Sequence, residues 1–310
     1  MKKIIILLSS YNGGEYLIPQ LDSLLQQTVS SYIHILVRDD GSSDKNTLSI
    51  LKKYEQTGKI ELWERKNVGV VKSFFELLLK APEADYYAFC DQDDYWLPLK
   101  IEMAIKQLDG HNEPTLYCSR KIIVDKKLNE MPQKDIVPLF GDLDVLMKGN
   151  IASGCTMVFN KSLRNLCKNF IPEEQDYQHL YHDTWLFTLA HFTGTIIYDS
   201  NSYILYRQHG NNVVGAMKKG MDLFLKRVRS IDWTLKKYKR RDKASYYASI
   251  LIRYFKSNIL EPKLRTVYDV SYARNMFSSR VKLFFRGGFS NTPLYEYIIY
   301  KAYMSRPGSI

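Results

Sequence analysis

Asp91-Gln92-Asp93-Asp94 puts three carboxylates into four residues, directly after the apolar run Tyr86-Tyr87-Ala88-Phe89-Cys90. Anions this close repel one another, and the end of a buried strand is a costly place to leave them unpaired. A cation is therefore expected among them. Carboxylate oxygens suit a hard divalent ion, Mg²⁺ or Mn²⁺, which completes its shell with water and substrate phosphates. Taken alone, the cluster also fits a solvated acidic turn that caps a helix starting near Leu97-Pro98. The elements around it decide between the two.

Short β-rich runs alternate with amphipathic segments over the first two thirds of the chain. Strands are expected at Lys3 to Leu8, Ile33 to Arg38, Ile60 to Trp63, Tyr86 to Cys90 and Thr115 to Ser119. Between them, Tyr16-Leu17-x₃-Leu21-x₂-Leu24-Leu25, Leu48-x₂-Leu51-x₂-Tyr54 and Phe74-Phe75-x-Leu77-Leu78-Leu79 have helical spacing. Such alternation predicts an α/β fold, a Rossmann-like and mostly parallel sheet with helices on both faces. Ligands then collect at the carboxyl ends of the strands, and the polar motifs fall there. Ser9-Ser10-Tyr11-Asn12-Gly13 follows the first strand, Asp39-Asp40-Gly41-Ser42-Ser43-Asp44 the second, Asn67-Val68-Gly69 the third and the acidic cluster the fourth. Each is also a plain turn or cap. In register on four successive strand ends, they read as one site.

In this order, Ser-x-Tyr-Asn-Gly, Asp-Asp-Gly-Ser-x-Asp, Asn-x-Gly and Asp-x-Asp-Asp, the motifs resemble the family-two glycosyltransferases of the GT-A fold. The likeness spans about residues 1 to 210. Members are inverting enzymes that use nucleotide-activated sugars. The resemblance implies that Tyr11 and Asp40, assisted by Asp39, hold the nucleoside base, with Ser9, Asn12 and Gln92 in the same motifs. It implies that Asp91 contacts the ribose or a metal-bound water, that Asp93 ligates a Mn²⁺ or Mg²⁺ bridging the two phosphates, and that Lys66 and Asn67 line the donor pocket.

Two further constellations follow. In Gln178-His179-Leu180-Tyr181-His182-Asp183-Thr184-Trp185, Asp183 stands at the start of an apolar helical segment, where the family commonly places its general base. A hydroxyl is a poor nucleophile until its proton is removed, so a base is required. His182 occupies a position that is commonly Glu. In Tyr206-Arg207-Gln208-His209-Gly210, His209 sits where related enzymes bring an imidazole to the metal, and Arg207 is placed to pair with the diphosphate. Ile151 to Phe159 reads as a strand whose Gly154 allows close approach of donor sugar or acceptor. Trp96 and His182 are expected at the same donor and acceptor pocket.

Finer details, Arg38-Asp39-Asp40-Gly41-Ser42, Asp91-Gln92-Asp93-Asp94-Tyr95-Trp96 and Tyr206 to Asn212, are similar to the bacterial rhamnosyltransferase branch, which builds cell-wall and capsule polysaccharides from dTDP-rhamnose. UDP-galactose, UDP-glucose and an N-acetylated relative are the rival donors. The acceptor is expected to be a saccharide, carried on a lipid.

Charge divides the chain. Residues 215 to 310 hold 21 Lys and Arg against 6 Asp and Glu, leaving 23 against 27 before them. A transferase domain over 1–214 and a basic, aromatic-rich helical extension over 215–310 are expected. Phe224-x₃-Val228-x₂-Ile231-x₃-Leu235, Tyr246-Tyr247-x₂-Ile250-Leu251-x₂-Tyr254-Phe255 and Val281 to Arg286 have the pattern of basic amphipathic helices. They suit an anionic membrane surface, the body of the domain or a second copy of the chain. Four cysteines without a Cys-x-x-Cys pair, and no apolar stretch of the roughly 18 to 20 residues that span a bilayer, point to the cytoplasm and its inner membrane face. A sugar nucleotidyltransferase needs a basic Gly-rich loop after its first strand, and Ser10 to Glu15 holds no Lys or Arg. Nucleic-acid binding explains the basic tail but not the acidic motifs, so no nucleic acid is expected as a partner.

Overall fold

The computed structural model describes residues 2–133, 141–148, 152–209 and 232–272, together with residues 278 and 281. The chain divides into two units, the first made of residues 1–137, 152–190 and 194–209, the second of residues 138–151, 191–193 and 210–310.

The first unit is built on an eight-stranded sheet: β1 (Ile4–Ser10), β2 (Ile33–Asp39), β3 (Glu61–Glu64), β4 (Tyr86–Asp91), β5 (Tyr95–Trp96), β6 (Thr115–Val124), β7 (Met157–Asn160) and β8 (Thr195–Arg207), in the order β3-β2-β1-β4-β7-β6-β8-β5. The helices α1 (Gly14–Leu25), α2 (Lys45–Gln56), α3 (Val70–Lys80) and α4 (Lys100–Leu108) connect the early strands. Ile4 to Leu8 are all fully buried, as a central parallel strand covered on both faces demands. Alternate residues of β1 serve alternate faces: Ile4, Ile6 and Leu8 pack with Leu17, Leu21 and Leu24 of α1 and Ile101 of α4. On the other face, Phe74 of α3 meets Phe89 of β4 edge to face at 5.4 Å.

The pairs β1–β2, β1–β4 and β2–β3 are parallel, and the register sets Ser9 opposite Asp91 and Ser10 opposite Asp39. Chain direction across the sheet reverses at β1, so the crevice between the carboxyl ends of β1 and β4 is where a ligand is collected. Beyond β4 the sheet is mixed. β7 runs antiparallel to both β4 and β6, while β8 is parallel to β6 and antiparallel to β5. Two reversals return β8 to the direction of β4, which delivers Arg207 to the edge that carries Asp91.

Three expectations are corrected. β6 continues past Ser119 to Val124, and β5 and β8 are strands beyond those the sequence pattern predicts. The segment expected as one strand over 151–159 is a 3-10 turn, Gly154–Thr156, followed by the short β7. This turn brings Gly154 and Cys155 to the end of β4.

In the second unit, α5 (Asp142–Lys148), α8 (Asp232–Phe255) and α9 (Glu261–Tyr272) pack with the last turn of α7 (His182–Thr193). Ala244, Tyr247, Ala248, Leu251 and Phe255 of α8 are buried at helical spacing, along with Val267 and Val270 of α9. His191 Nε2 lies 2.8 Å from Asp142 Oδ1. The expected amphipathic segments at Phe224 to Leu235 and Val281 to Arg286 lie outside the described residues except for residues 232–235, which open α8, and residue 281. Among the described residues, no helix is long and apolar enough to cross a membrane.

Candidate active site

At the ends of β1 to β3 the polar motifs bind chiefly one another. Asp39 accepts the Ser42 N–H at 2.9 Å and the Ser42 hydroxyl at 2.5 Å, closing the Asp-Gly-Ser turn. Asp40 is buried and accepts from the Arg38 guanidinium at 2.5 Å and from the backbone N–H groups of Val68 and Gly69 at 2.9 Å each. Its carboxylate holds the Asn67-Val68-Gly69 loop in place, while Lys66 and Asn67 are exposed beside it. Gly41 is required twice: its φ is +75°, and a Cβ there would stand 2.7 Å from the Asn67 nitrogen. Asn12 Oδ1 accepts the N–H groups of Ser43 and Asp44 at 3.0 Å each. Gln92 bridges to the Tyr11 backbone, accepting its N–H at 2.9 Å and donating to its carbonyl at 3.0 Å. Ser9 bonds to Ser73 of α3. The Tyr11 ring, 46% exposed, is left facing outward.

The end of β4 is different. Asp91, Asp94 and Cys155 offer ligand atoms within 4.8 Å of one another. Loss of water, then the charges of Asp93 and Asp183, raise Asp91 to about 7. Burial, then Asp91 and Asp93, push Asp94 well above the carboxylate range. The Cys155 thiol is held high by burial and hydrogen-bonds into the pair. A soft, fully buried thiol makes this trio a poor hard-ion site. The better donor set is next to it: Asp93 Oδ2 and His209 Nε2 lie 2.8 Å apart, and carboxylate oxygen with imidazole nitrogen fits Mn²⁺. The His209 ring stacks on Tyr16 at 4.6 Å.

Arg207, expected on the diphosphate, is instead 4% exposed. Its Nε donates to the Asp93 carbonyl at 2.8 Å and its Nη1 to the Lys126 carbonyl at 2.7 Å, while the guanidinium covers Tyr16 at 4.9 Å. It braces the turn that carries Asp93. Trp96, expected in the sugar pocket, is 1% exposed and lies in the core under the Lys100 ammonium, so it supports the site from beneath.

α7 brings Asp183 to this edge. Its Oδ1 accepts the Thr184 N–H at 2.6 Å, and its charge reaches Asp91. His182 stacks on Phe74 at 4.1 Å, and burial lowers its pKa, which favours the neutral ring. A Cβ on Gly154 would lie 3.1 Å from His182 Nε2 and 3.2 Å from the Asp183 Cβ. Gly154 therefore makes room for the chain's own helix start. The other carboxylates before α7 are engaged locally: Glu174 pairs with Lys72 at 2.6 Å, Glu173 with Gln175 at 2.5 Å, and Asp176 accepts the Glu173 N–H at 2.7 Å.

Three residues of this edge have no role in the sequence reading. Asp94 belonged to the motif without a role. Tyr16 read only as an apolar helix position. Lys121, whose charge acts on Asp91, lies past the expected end of its strand and donates to Ser153 at 2.6 Å.

A half-wound parallel sheet with polar turns, carboxylates and an imidazole gathered along one carboxyl edge is the layout of an α/β protein that collects its ligand at the strand ends. The chain belongs to glycosyl transferase family 2, whose model matches residues 5–182, and it is a glycosyltransferase of the GT-A fold. It is 30% identical over 227 residues to the dTDP-rhamnosyl transferase RfbG of Shigella flexneri, covering 67% of this chain and 74% of that protein. It is 28% identical over 173 residues to the UDP-Glc:alpha-D-GlcNAc-diphosphoundecaprenol beta-1,3-glucosyltransferase WfgD of Escherichia coli, covering 56% of this chain and 66% of WfgD. The crystal structure of S. aureus TarS 1-349 in complex with UDP-GlcNAc superposes with a TM-score of 0.56 at 18% identity, over 90% of this chain and 83% of that one.

Proposed function

We propose that this transferase moves a sugar, with inversion, from a nucleotide sugar to a lipid-carried saccharide in bacterial surface polysaccharide synthesis, and that the donor is dTDP-L-rhamnose. The observation that carries the reading is Asp183, delivered by a distant helix to within electrostatic reach of Asp91 on the edge where the nucleotide motifs converge. RfbG supports the rhamnosyl donor, and the name of WfgD supports the lipid-linked acceptor.

Tyr11 stacks on the base, Asp91 binds the ribose, and the loops held by Asp39, Asp40 and Asn12 shape the pocket around them. Asp93 and His209 would hold a divalent ion, whose charge offsets the negative charge growing on the departing diphosphate. Asp183 takes the proton of the acceptor hydroxyl as that oxygen attacks the anomeric carbon. The carbon–oxygen bond to the diphosphate breaks, and its electron pair leaves with the nucleoside diphosphate. One displacement inverts the centre, so no covalent sugar intermediate and no second carboxylate nucleophile are needed.

Release of nucleoside diphosphate from a panel of donors, with Mn²⁺ present, tests the donor. Fastest turnover of dTDP-rhamnose is expected; fastest turnover of UDP-glucose would transfer the assignment to the WfgD type and keep the reaction class. Calorimetry tests the metal. Nucleoside diphosphate is expected to bind weakly in chelator, and Asp93→Ala to abolish the Mn²⁺-dependent part. Equal affinity of the parent with and without chelator would remove Asp93 from metal binding.

A further inference from the structure

The apolar side of α8 is not available to an outside partner. Tyr247, Ile250, Leu251 and Phe255 are buried within the second unit. What the packing leaves outside is an edge of cations and tyrosines where α8 ends and α9 runs. Arg253, on the last turn of α8, lies over the Tyr254 ring at 5.2 Å from its centroid. Lys256, in the 3-10 turn Lys256–Asn258, hydrogen-bonds to the Tyr268 side chain with its Nζ 5.7 Å from that ring. The Tyr268 ring in turn lies parallel to Tyr272 at 6.1 Å.

Helical spacing puts these groups on one side of α9. Val267 and Val270 are buried, while Arg265, Tyr268 and Tyr272, at i, i+3 and i+7, form a stripe on the opposite face. Tyr254 and Tyr272 are 39% and 44% exposed. Lys263 turns the other way and donates to the His191 carbonyl, so it serves the fold. From Arg253 to Tyr272 the exposed charges are Arg253, Lys256 and Arg265 against Glu261. Residues 273–310 add six Lys and Arg against one Glu.

A cationic edge calls for an anionic partner. Tyrosines beside the cations narrow the choice, because an apolar ring with a polar tip suits the boundary between lipid headgroups and acyl chains. A nucleic acid calls for a cationic groove that tracks its backbone, and one outward helix face offers none. We propose that this edge docks the protein on an anionic phospholipid surface, with Arg253, Lys256 and Arg265 on lipid phosphates and Tyr268 and Tyr272 among the headgroups. Each cation near such a surface strengthens binding about fivefold, so three give roughly 10²-fold, enough for a reversible attachment. Docking there keeps the transferase where a lipid-carried acceptor resides, yet the proposal stands on the charge and packing of the second unit alone.

Co-sedimentation of the full chain with extruded vesicles tests it. The parent is expected to pellet with equal parts of phosphatidylglycerol and phosphatidylcholine and not with phosphatidylcholine alone, and to be released as salt shortens the screening length to roughly 3 Å near 1 M. Lys256→Gln with Arg265→Gln is expected to lower partitioning about 25-fold. Lys53→Gln with Lys106→Gln, the same loss of charge at exposed lysines of the first unit, should stay near the parent. Tyr272→Ser should weaken binding by a factor that salt does not change. The substituted cations are exposed, so melting should not move; if it does, Arg253→Gln with Arg265→Gln takes the place of the first pair. Equal losses in the patch and control pairs overturn the proposal. So does a parent that ignores anionic vesicles, whether the edge then holds a nucleic acid in a gel shift or a second copy in sedimentation velocity. Pelleting without turnover of any donor would count against the transferase reading and leave the docking edge in place.

Discussion

The ends of β2 and β4 carry carboxylates of the same kind, and the fold treats them in opposite ways. At β2, Asp39 and Asp40 have their oxygens taken up by backbone N–H groups, a hydroxyl and a guanidinium. At β4, Asp91 and Asp94 crowd together with an orphaned oxygen, and burial raises both, joined by the charges of Asp93 and Asp183 at Asp91 and of Asp91 and Asp93 at Asp94. A saturated carboxylate is a strut that sets a loop. A crowded one stores unfavourable energy, which a cation or a proton relieves, and that is a reason to place ligand chemistry at β4.

The widest gap between the two ends is expected from Asp183, which serves the crowded side. Asp183→Asn should leave folding and nucleoside diphosphate affinity intact while transfer falls by about 10² to 10⁴, the usual contribution of positioned proton transfer. Steady-state transfer assays on this variant, beside Glu173→Gln, Glu174→Gln and Asp176→Asn, check it. Near-normal transfer by Asp183→Asn with collapse in one of the others would move the base to that residue.

On the saturated side the loss should fall on stability. Asp40→Ala leaves Arg38, 1% exposed, with Glu76 alone as a carboxylate partner at 2.7 Å, and leaves the Val68 and Gly69 amides without their acceptor. A cost of about 3 kcal/mol is expected, at the low end for a broken buried pair because Glu76 persists. Chemical denaturation measures it, and an unchanged midpoint would erase the contrast between the two ends.

The smallest effect should come from Tyr11, which belongs to neither kind. Its ring is 46% exposed, so Tyr11→Ala should not alter melting. Removing a base-stacking face is worth about 1 to 3 kcal/mol, so affinity for dTDP should fall roughly tenfold or more. Unchanged dTDP affinity in calorimetry would take Tyr11 off the base.

Strands were legible where burial was complete. Ile4 to Leu8 could be read because both faces of β1 are covered, so every residue is apolar. β8 was not, because its residues are mostly half-buried and show neither a continuous run nor alternation. β6 was cut short at Ser119 for the same reason, since Arg120 to Ile123 are half-buried. The missed length mattered to the site, for Lys121 stands in it and β8 ends at Arg207.

From sequence alone came the family resemblance, the parallel half of the sheet and the residues at its carboxyl edge, because each motif is a local turn at the end of a locally recognisable strand. Which of those residues are occupied was decided only in three dimensions. Arg207 and Trp96 have the right chemistry for phosphate and sugar, yet the first is buried with two carbonyls as acceptors and the second lies in the core. Tyr16 is an apolar-face position of its helix and reaches His209 through packing. Spacing along a chain reports which groups are near one strand end; whether an oxygen or an ammonium is free depends on partners more than a hundred residues away, as Asp93 and His209 are.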